Sequence, residues 1–192
     1  SDGESRVTEE EIKSIIQEGA EAGEVQEVEQ RIVGRVFSLG DRTVESVMTH
    51  RNDLVWLSSN MSAKQIRQCV AEEPHSIYPV CEDSLDRLMG VVYLKDLVSQ
   101  LNNEELTLQP IVRKPKYFHE QTEVYNALEQ LREEHQRYGI VCDEFGVTQG
   151  IITLQDILDA LVGDIPDEHE QPCIVDREDG SALIDGQCPY FE

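Results

Sequence analysis

The chain writes one pattern twice. "SIYPVCEDSLDRLMGVVYLKDLVSQL" (residues 76–101) lies against "RYGIVCDEFGVTQGIITLQDILDALV" (137–162), pairing Cys81 with Cys142, Gly90 with Gly150 and Asp96 with Asp156. The offset slips from 61 to 60 within the intervening turn, where loops tolerate insertion and deletion. An internal repeat is a strong constraint on a fold, because both copies must adopt one structure and bury their apolar faces together.

Each copy predicts a short apolar strand (Ile77 to Cys81, Ile140 to Cys142), a polar turn, a second strand (Met89 to Tyr93, Gly150 to Thr153) and a helix. The helix signal is periodic: Leu94, Leu97, Val98 and Leu101 recur at i, i+3, i+4 and i+7, as do Leu154, Ile157, Leu158 and Leu161. Upstream, Ser62 with Gln65 caps another helix in the first copy, and Thr122 caps its counterpart in the second. Short extended stretches precede them, "LVWL" at 54–57 and "YFHE" at 117–120. The unit is β-α-β-β-α, written twice, which makes an α/β (α+β) fold.

Before the repeats, Thr8 followed by Glu11 has capping-box spacing, and Ile12, Ile15 and Ile16 form one apolar face. Gly19 and Gly23 interrupt it; Val25, Val28, Ile32, Val36 and Leu39 then run at helical steps up to Gly40. The pair is read as a lead-in and not as a domain. After Gly163, "DIPDEHEQP" reads as an acidic linker and "CIVDREDGSALIDGQ" as a hairpin turning at Asp179-Gly180. The expected division is 1–42 lead-in, 43–105 first repeat, 106–165 second repeat, and 166–192 linker with the start of a truncated β element.

Charge excludes some partners. The formal net charge of -23 repels phosphate backbones and anionic lipid surfaces, so nucleic acid is not an expected partner. The five cysteines are odd in number and contain no C-x-x-C pair, so they read as reduced thiols. No apolar run approaches the roughly 20 residues that span a bilayer, and the polar start is no signal peptide.

Thr153-x-x-Asp156 carries two readings. The spacing is that of a capping box at a helix start; the same helix N-terminus also favours an anion, and a carboxylate there accepts hydrogen bonds from the hydroxyl groups of a ligand. Tyr93 in the threonine's place in the first copy shows that the fold does not require threonine. Gly90 and Gly150 are read as structural, and Cys81 and Cys142 as core residues. His50, His75, His119, His135 and His169 show no metal spacing. No catalytic nucleophile motif or phosphate loop is present, so no enzymatic role is expected.

These residues resemble a known family. Two β-α-β-β-α units, each ending in glycine, two apolar residues, Thr or its substitute, two residues and Asp, resemble a pair of cystathionine β-synthase (CBS) domains, a Bateman module. "RVTEEEIKSIIQEGAEAGEVQEVEQRIVGRVFSLGDRTVESVMTHR", "VCDEFGVTQGIITLQDILDALVGDIPDEHE" and "DREDGSALIDG" are similar to the cytosolic part of the CorC/HlyC family, bacterial relatives of the CNNM magnesium transporters, sometimes labelled hemolysins.

The resemblance implies an adenine nucleotide, ATP or AMP, with Mg2+, in the cleft between the repeats. It places Thr153 and Asp156 at the phosphate and ribose side, Met48, Thr49, Ser76, Tyr78 and Pro79 around base and sugar, and His50 and Arg51 at the cleft's border as candidates for phosphate contact. Two departures stand out: His50 replaces the family's usual proline, and Tyr93 leaves Asp96 without its threonine, which points to one strong site and not two. The resemblance further implies a transmembrane domain before this region, a transporter-associated domain after it, attachment at the cytosolic face of a membrane, and a homodimer. A flavin enters only by analogy with the C-terminal domain. The leading expectation is a nucleotide-responsive regulator of a divalent-cation transporter; the alternative is a dimerisation platform with a vestigial cleft.

Overall fold

The computed structural model describes residues 6–103 and 105–163, together with the backbone of 174–176 and 182–184. The expected linker and the Asp179-Gly180 turn lie outside the described residues. The chain runs α1 (Glu9–Glu21), α2 (Glu27–Gly40), β1 (Thr49–His50), β2 (Leu57–Ser58), α3 (Ala63–Glu72), β3 (Ile77–Cys81), β4 (Leu88–Tyr93) and α4 (Leu94–Val98). It continues through β5 (Tyr117–His119), α5 (Val124–Glu133), β6 (Tyr138–Cys142), β7 (Thr148–Thr153) and α6 (Leu154–Val162), and then β8 (Ile174–Asp176) and β9 (Ala182–Ile184), which pair antiparallel.

Each repeat builds its own sheet on the same plan. β2 lies parallel to β3 and β3 antiparallel to β4; in the second copy β5, β6 and β7 repeat those pairings. A register shift falls at Val80/Cys81 and again at Val141/Cys142. Alternation along β3 divides its residues: Tyr78 and Val80 enter the first core with Leu57, Ile66, Val92 and Leu97, whereas Ile77 faces the other repeat. The second core gathers Phe118, Val124, Leu131, Val141, Ile152 and Ile157. A third cluster, Val91, Tyr138, Ile140 and Ile151 with Leu54, Ile77 and Tyr93 against it, joins the repeats.

The sheets exchange arms. β1, which precedes the first repeat's own strands, pairs with β7 of the second repeat, Thr49 opposite Ile151 and His50 opposite Gly150. Reciprocally, Arg113, ahead of β5, bridges to Val91 of β4. The core clusters follow the exchange: Val44, Val47 and Met48 pack in the second core, and Leu106, Leu108, Ile111 and Val112 in the first. Gly90 and Gly150 make this crossing possible. A Cβ on Gly150 would meet the Thr49 carbonyl and lie 2.7 Å from Met48 Sδ, and one on Gly90 would lie 2.6 Å from the Arg113 carbonyl. Their role is close approach of the crossing backbone, which agrees with the structural reading.

Three expectations change. Thr122 does not cap α5: the N-cap is Glu123 with no side-chain bond, and the Val124 N–H donates instead to the Arg42 carbonyl of the crossing arm. The "LVWL" stretch forms a strand only from Leu57, leaving Leu54 and Val55 beside the cleft described below. α4 ends at Val98, short of the Leu101 that its periodicity promised. The capping boxes at Thr8/Glu11 and Ser62/Gln65 form as read. The lead-in is anchored on the second repeat: α2 packs on α5 and α6, Leu39 is buried, and the Tyr125 hydroxyl donates to the Val36 carbonyl. Among the described residues no helix is long and apolar enough to cross a membrane.

Candidate functional site

A cleft of about 710 Å³ lies between the repeats. Its size is in the range of small-ligand sites. The first repeat contributes Thr49, Asp53, Leu54, Val55, His75, Ser76, Ile77, Pro79 and Tyr93 to its lining. The second contributes Arg137, Ile151 and the start of α6, Thr153 to Asp156, with Leu158.

The α6 N-terminus is the chemically richest wall. β7 ends at Thr153 in extended conformation, and its hydroxyl accepts the Asp156 N–H at 3.0 Å. The Asp156 carboxylate returns the bond, with Oδ2 accepting the Thr153 N–H at 2.9 Å. The capping box is therefore real, and both its members line the cleft. Only Oδ2 is committed to this bond, which leaves Oδ1 as an acceptor. Burial pushes the Asp156 carboxyl above the ordinary carboxylate range, against the opposing bonds from Thr153 and with the Asp159 charge adding to the rise. Arg137 stands next to this helix start: its carbonyl accepts the Leu154 N–H, and its exposed side chain makes no ion pair among the described residues.

Of the seven expected site residues, the structure brings five together at the cleft: Thr49, Ser76, Pro79, Thr153 and Asp156. Met48 and Tyr78 do not line it. Met48 packs against the second core beside Gly150, because the arm exchange turns it inward. Tyr78 is 0% exposed on the core face of β3; its hydroxyl accepts the His75 N–H at 2.7 Å and donates to the Glu73 carbonyl at 2.7 Å.

His50 and Arg51 are likewise not in the lining. Arg51 is committed to the Thr148 carbonyl at 2.9 Å and to Asp86 at 3.0 Å, and His50 Nδ1 accepts the Asn52 N–H. His50 holds φ -70° and ψ 150°. A proline would take that same φ, so the loop keeps its shape without one.

Arg137, Asp53 and His75 also line the cleft, and no motif in the sequence marks them as ligand residues. Arg137 was legible through the repeat: it aligns with Ser76, and both carbonyls accept the first N–H of the following helix. In the pseudo-equivalent position of the first repeat, Asp96 is not left alone. It pairs with Arg113 at 2.7 Å, while α4 has no side-chain cap. Among the described residues no group of three or more His, Cys, Asp or Glu is placed to hold a metal ion.

Comparison with known proteins matches this architecture. The CBS domain family model covers residues 44–103 and 108–163. A UPF0053 protein of Synechocystis is 41% identical over 98% of this chain and 43% of its own length. The polyamine export protein of Escherichia coli K12 is 32% identical over 95% of this chain and 42% of its own length. The chain thus spans less than half the length of these curated relatives.

Among solved structures, the CBS domain of a bacterial CNNM/CorC family Mg2+ transporter is 32% identical, with TM-score 0.75 over 84% of this chain and 100% of that one. A complex of such a domain with ATP is 30% identical, with TM-score 0.66 over 71% of this chain and 99% of that one. A CBS-domain pair with bound AMP from Klebsiella pneumoniae is 26% identical, with TM-score 0.57 over 63% of this chain and 98% of that one. With two family matches in tandem, arms exchanged between their sheets and a cleft between them, the chain belongs to the CBS-domain family, as a pair of the kind found in CNNM/CorC proteins.

Proposed function

We propose that the inter-repeat cleft binds an adenine nucleotide, ATP or AMP, and that occupancy biases a membrane transporter attached to this module on its cytosolic side. The observation that carries this reading is the capped start of α6: Thr153 and Asp156 open onto a cleft of nucleotide size whose opposite wall belongs to the other repeat. Asp156 Oδ1 accepts from a ribose hydroxyl. The helix N-terminus and Arg137 supply positive potential for phosphate, and Leu54, Val55, Ile77 and Ile151 offer apolar surface to a base. Mg2+ enters with the phosphates and offsets their repulsion from Asp53 and Asp156. A ligand held by both repeats shifts their arrangement only as far as its affinity differs between two arrangements. The flavin expectation concerns the region after residue 163, almost all of which lies outside the described residues.

The names of the relatives supply two cargo classes, Mg2+ and polyamines, and both are cations. The proposed cargo of the attached transporter is therefore a cation, with divalent metal as the leading case. Isothermal calorimetry with ATP and with AMP, each with and without Mg2+, tests the binding reading; absence of heat together with an unmoved melting temperature in all four would overturn it.

A second reading concerns assembly. Val98 is 56% exposed on α4, and Leu158 and Val162 on α6 are 49% and 44% exposed. We propose that these apolar helix faces pair with those of a second copy, giving a homodimer. Sedimentation analysis that finds only monomer at micromolar concentration would count against it.

A further inference from the structure

Tyr93 breaks the repeat, yet it faces the cleft. The equivalent residue in the second copy is Thr153, opposite Tyr138 across the β6–β7 pair; in the first copy Tyr93 stands opposite Ile77. The ring is half buried and lines the cleft with Ile77, Leu54 and Val55. Its position is defined from several sides. The Tyr138 ring, 1% exposed in the inter-repeat core, meets it edge-on at 5.6 Å. Arg113 lies 5.4 Å and Lys95 5.2 Å from its centroid. Asp96, with no threonine to partner as Asp156 has, holds Arg113 at 2.7 Å. Arg113 also belongs to the crossing arm that bridges to Val91, so its backbone is anchored as well.

We propose that Tyr93 is the base-recognition wall of the cleft, packing its ring against a purine, and that the Asp96–Arg113 pair is a positioning device for that ring. The inference rests on the nucleotide reading above. An aromatic side chain gains from contact with a heteroaromatic base in stacked or edge-on geometry, and the larger purine gains more than a pyrimidine. Holding the ring in place before the ligand arrives removes an ordering cost from binding. The substitution that deprives the first repeat of a capping hydroxyl thereby equips the neighbouring cleft with its aromatic surface.

Calorimetry on the whole chain with ATP, adenosine and CTP provides the test, with melting curves to show that each variant folds. Tyr93→Phe keeps the ring and retains affinity within about twofold, whereas Tyr93→Leu weakens ATP and adenosine alike by about tenfold or more and narrows the preference for ATP over CTP. Arg113→Met causes a smaller loss, and the Tyr93→Leu/Arg113→Met double variant binds no worse than Tyr93→Leu alone, as expected if Arg113 acts through the ring. Unchanged affinity in Tyr93→Leu, a loss confined to ATP, or additive losses in the double variant would each overturn the proposal while leaving the nucleotide reading intact. A wild-type chain that binds none of the three ligands removes both.

Discussion

Replacing Asp156 by asparagine separates two duties of one side chain. The amide oxygen still accepts the Thr153 N–H, so the capping box at 2.9 and 3.0 Å persists, while the negative charge facing the cleft is gone. With Oδ2 occupied by the cap, a ribose hydroxyl has Oδ1 as its acceptor, which amounts to one charge-assisted hydrogen bond. Losing it costs roughly 1.5–3 kcal/mol, about a 10- to 150-fold rise in Kd for ATP. Stability moves the other way. Burial raises the folded pKa of Asp156, so the fold favours the protonated carboxyl: that contribution is full below the unfolded carboxylate pKa of about 3.9 and is lost as pH rises through the folded value. Asparagine stays uncharged throughout, so the variant melts at or above the wild-type temperature at pH 7, and the difference closes under acid. Adenosine, which carries no titrating phosphate, should bind the wild-type chain progressively less well as pH falls through the raised pKa, and bind the variant with no such dependence. Calorimetry and urea titration across pH measure both quantities. ATP binding by Asp156→Asn within about twofold of wild type would refute the assignment of Asp156 to the ligand.

Tyr78→Phe removes a hydroxyl that bridges His75 and Glu73 inside the first core, and should lower stability by about 1–3 kcal/mol in denaturant titration. Its ATP affinity should not change, since the ring points away from the cleft. Gly150→Ala drives a Cβ into the Thr49 carbonyl and should cost about 1–3 kcal/mol through displacement of the crossing arm, read as faster hydrogen exchange in residues 44–50. Val98→Asp places a charge on the exposed apolar face of α4; sedimentation should show a weakened dimer and melting curves an unchanged protomer.

Local order was legible wherever the signal was local. The capping boxes at Thr8, Ser62 and Thr153 depend on residues three apart, and the strands on short apolar runs repeated in both copies, so their signals involve no distant partners. What escaped was set by the crossing of chains. Nothing near Thr122 announces that the Arg42 carbonyl will take the N–H that its side chain was expected to serve. Met48 looks like a cleft residue until the arm exchange turns it into the second core. Tyr78 differs in kind: the family pattern marks a stretch near the cleft, whereas the alternation of β3 sends Tyr78 inward and leaves Ile77 and Pro79 at the cleft. Arg137 is legible only through the repeat: it stands where the first copy has Ser76, and residue type alone does not mark it as a cleft residue.

The reciprocal placement of β1 in the sheet of β7 and of Arg113 beside β4 bears on how such a chain originates and is synthesised. Each sheet borrows an edge from the other half, the arrangement of a swapped homodimer whose two copies have been joined into one gene product. On the ribosome, the first half emerges with its arm before the sheet that receives it exists, so final closure waits for the second half. A fragment cut between the repeats would carry an unclaimed edge and an uncovered inner face, and its route to a closed structure is to find another copy of itself.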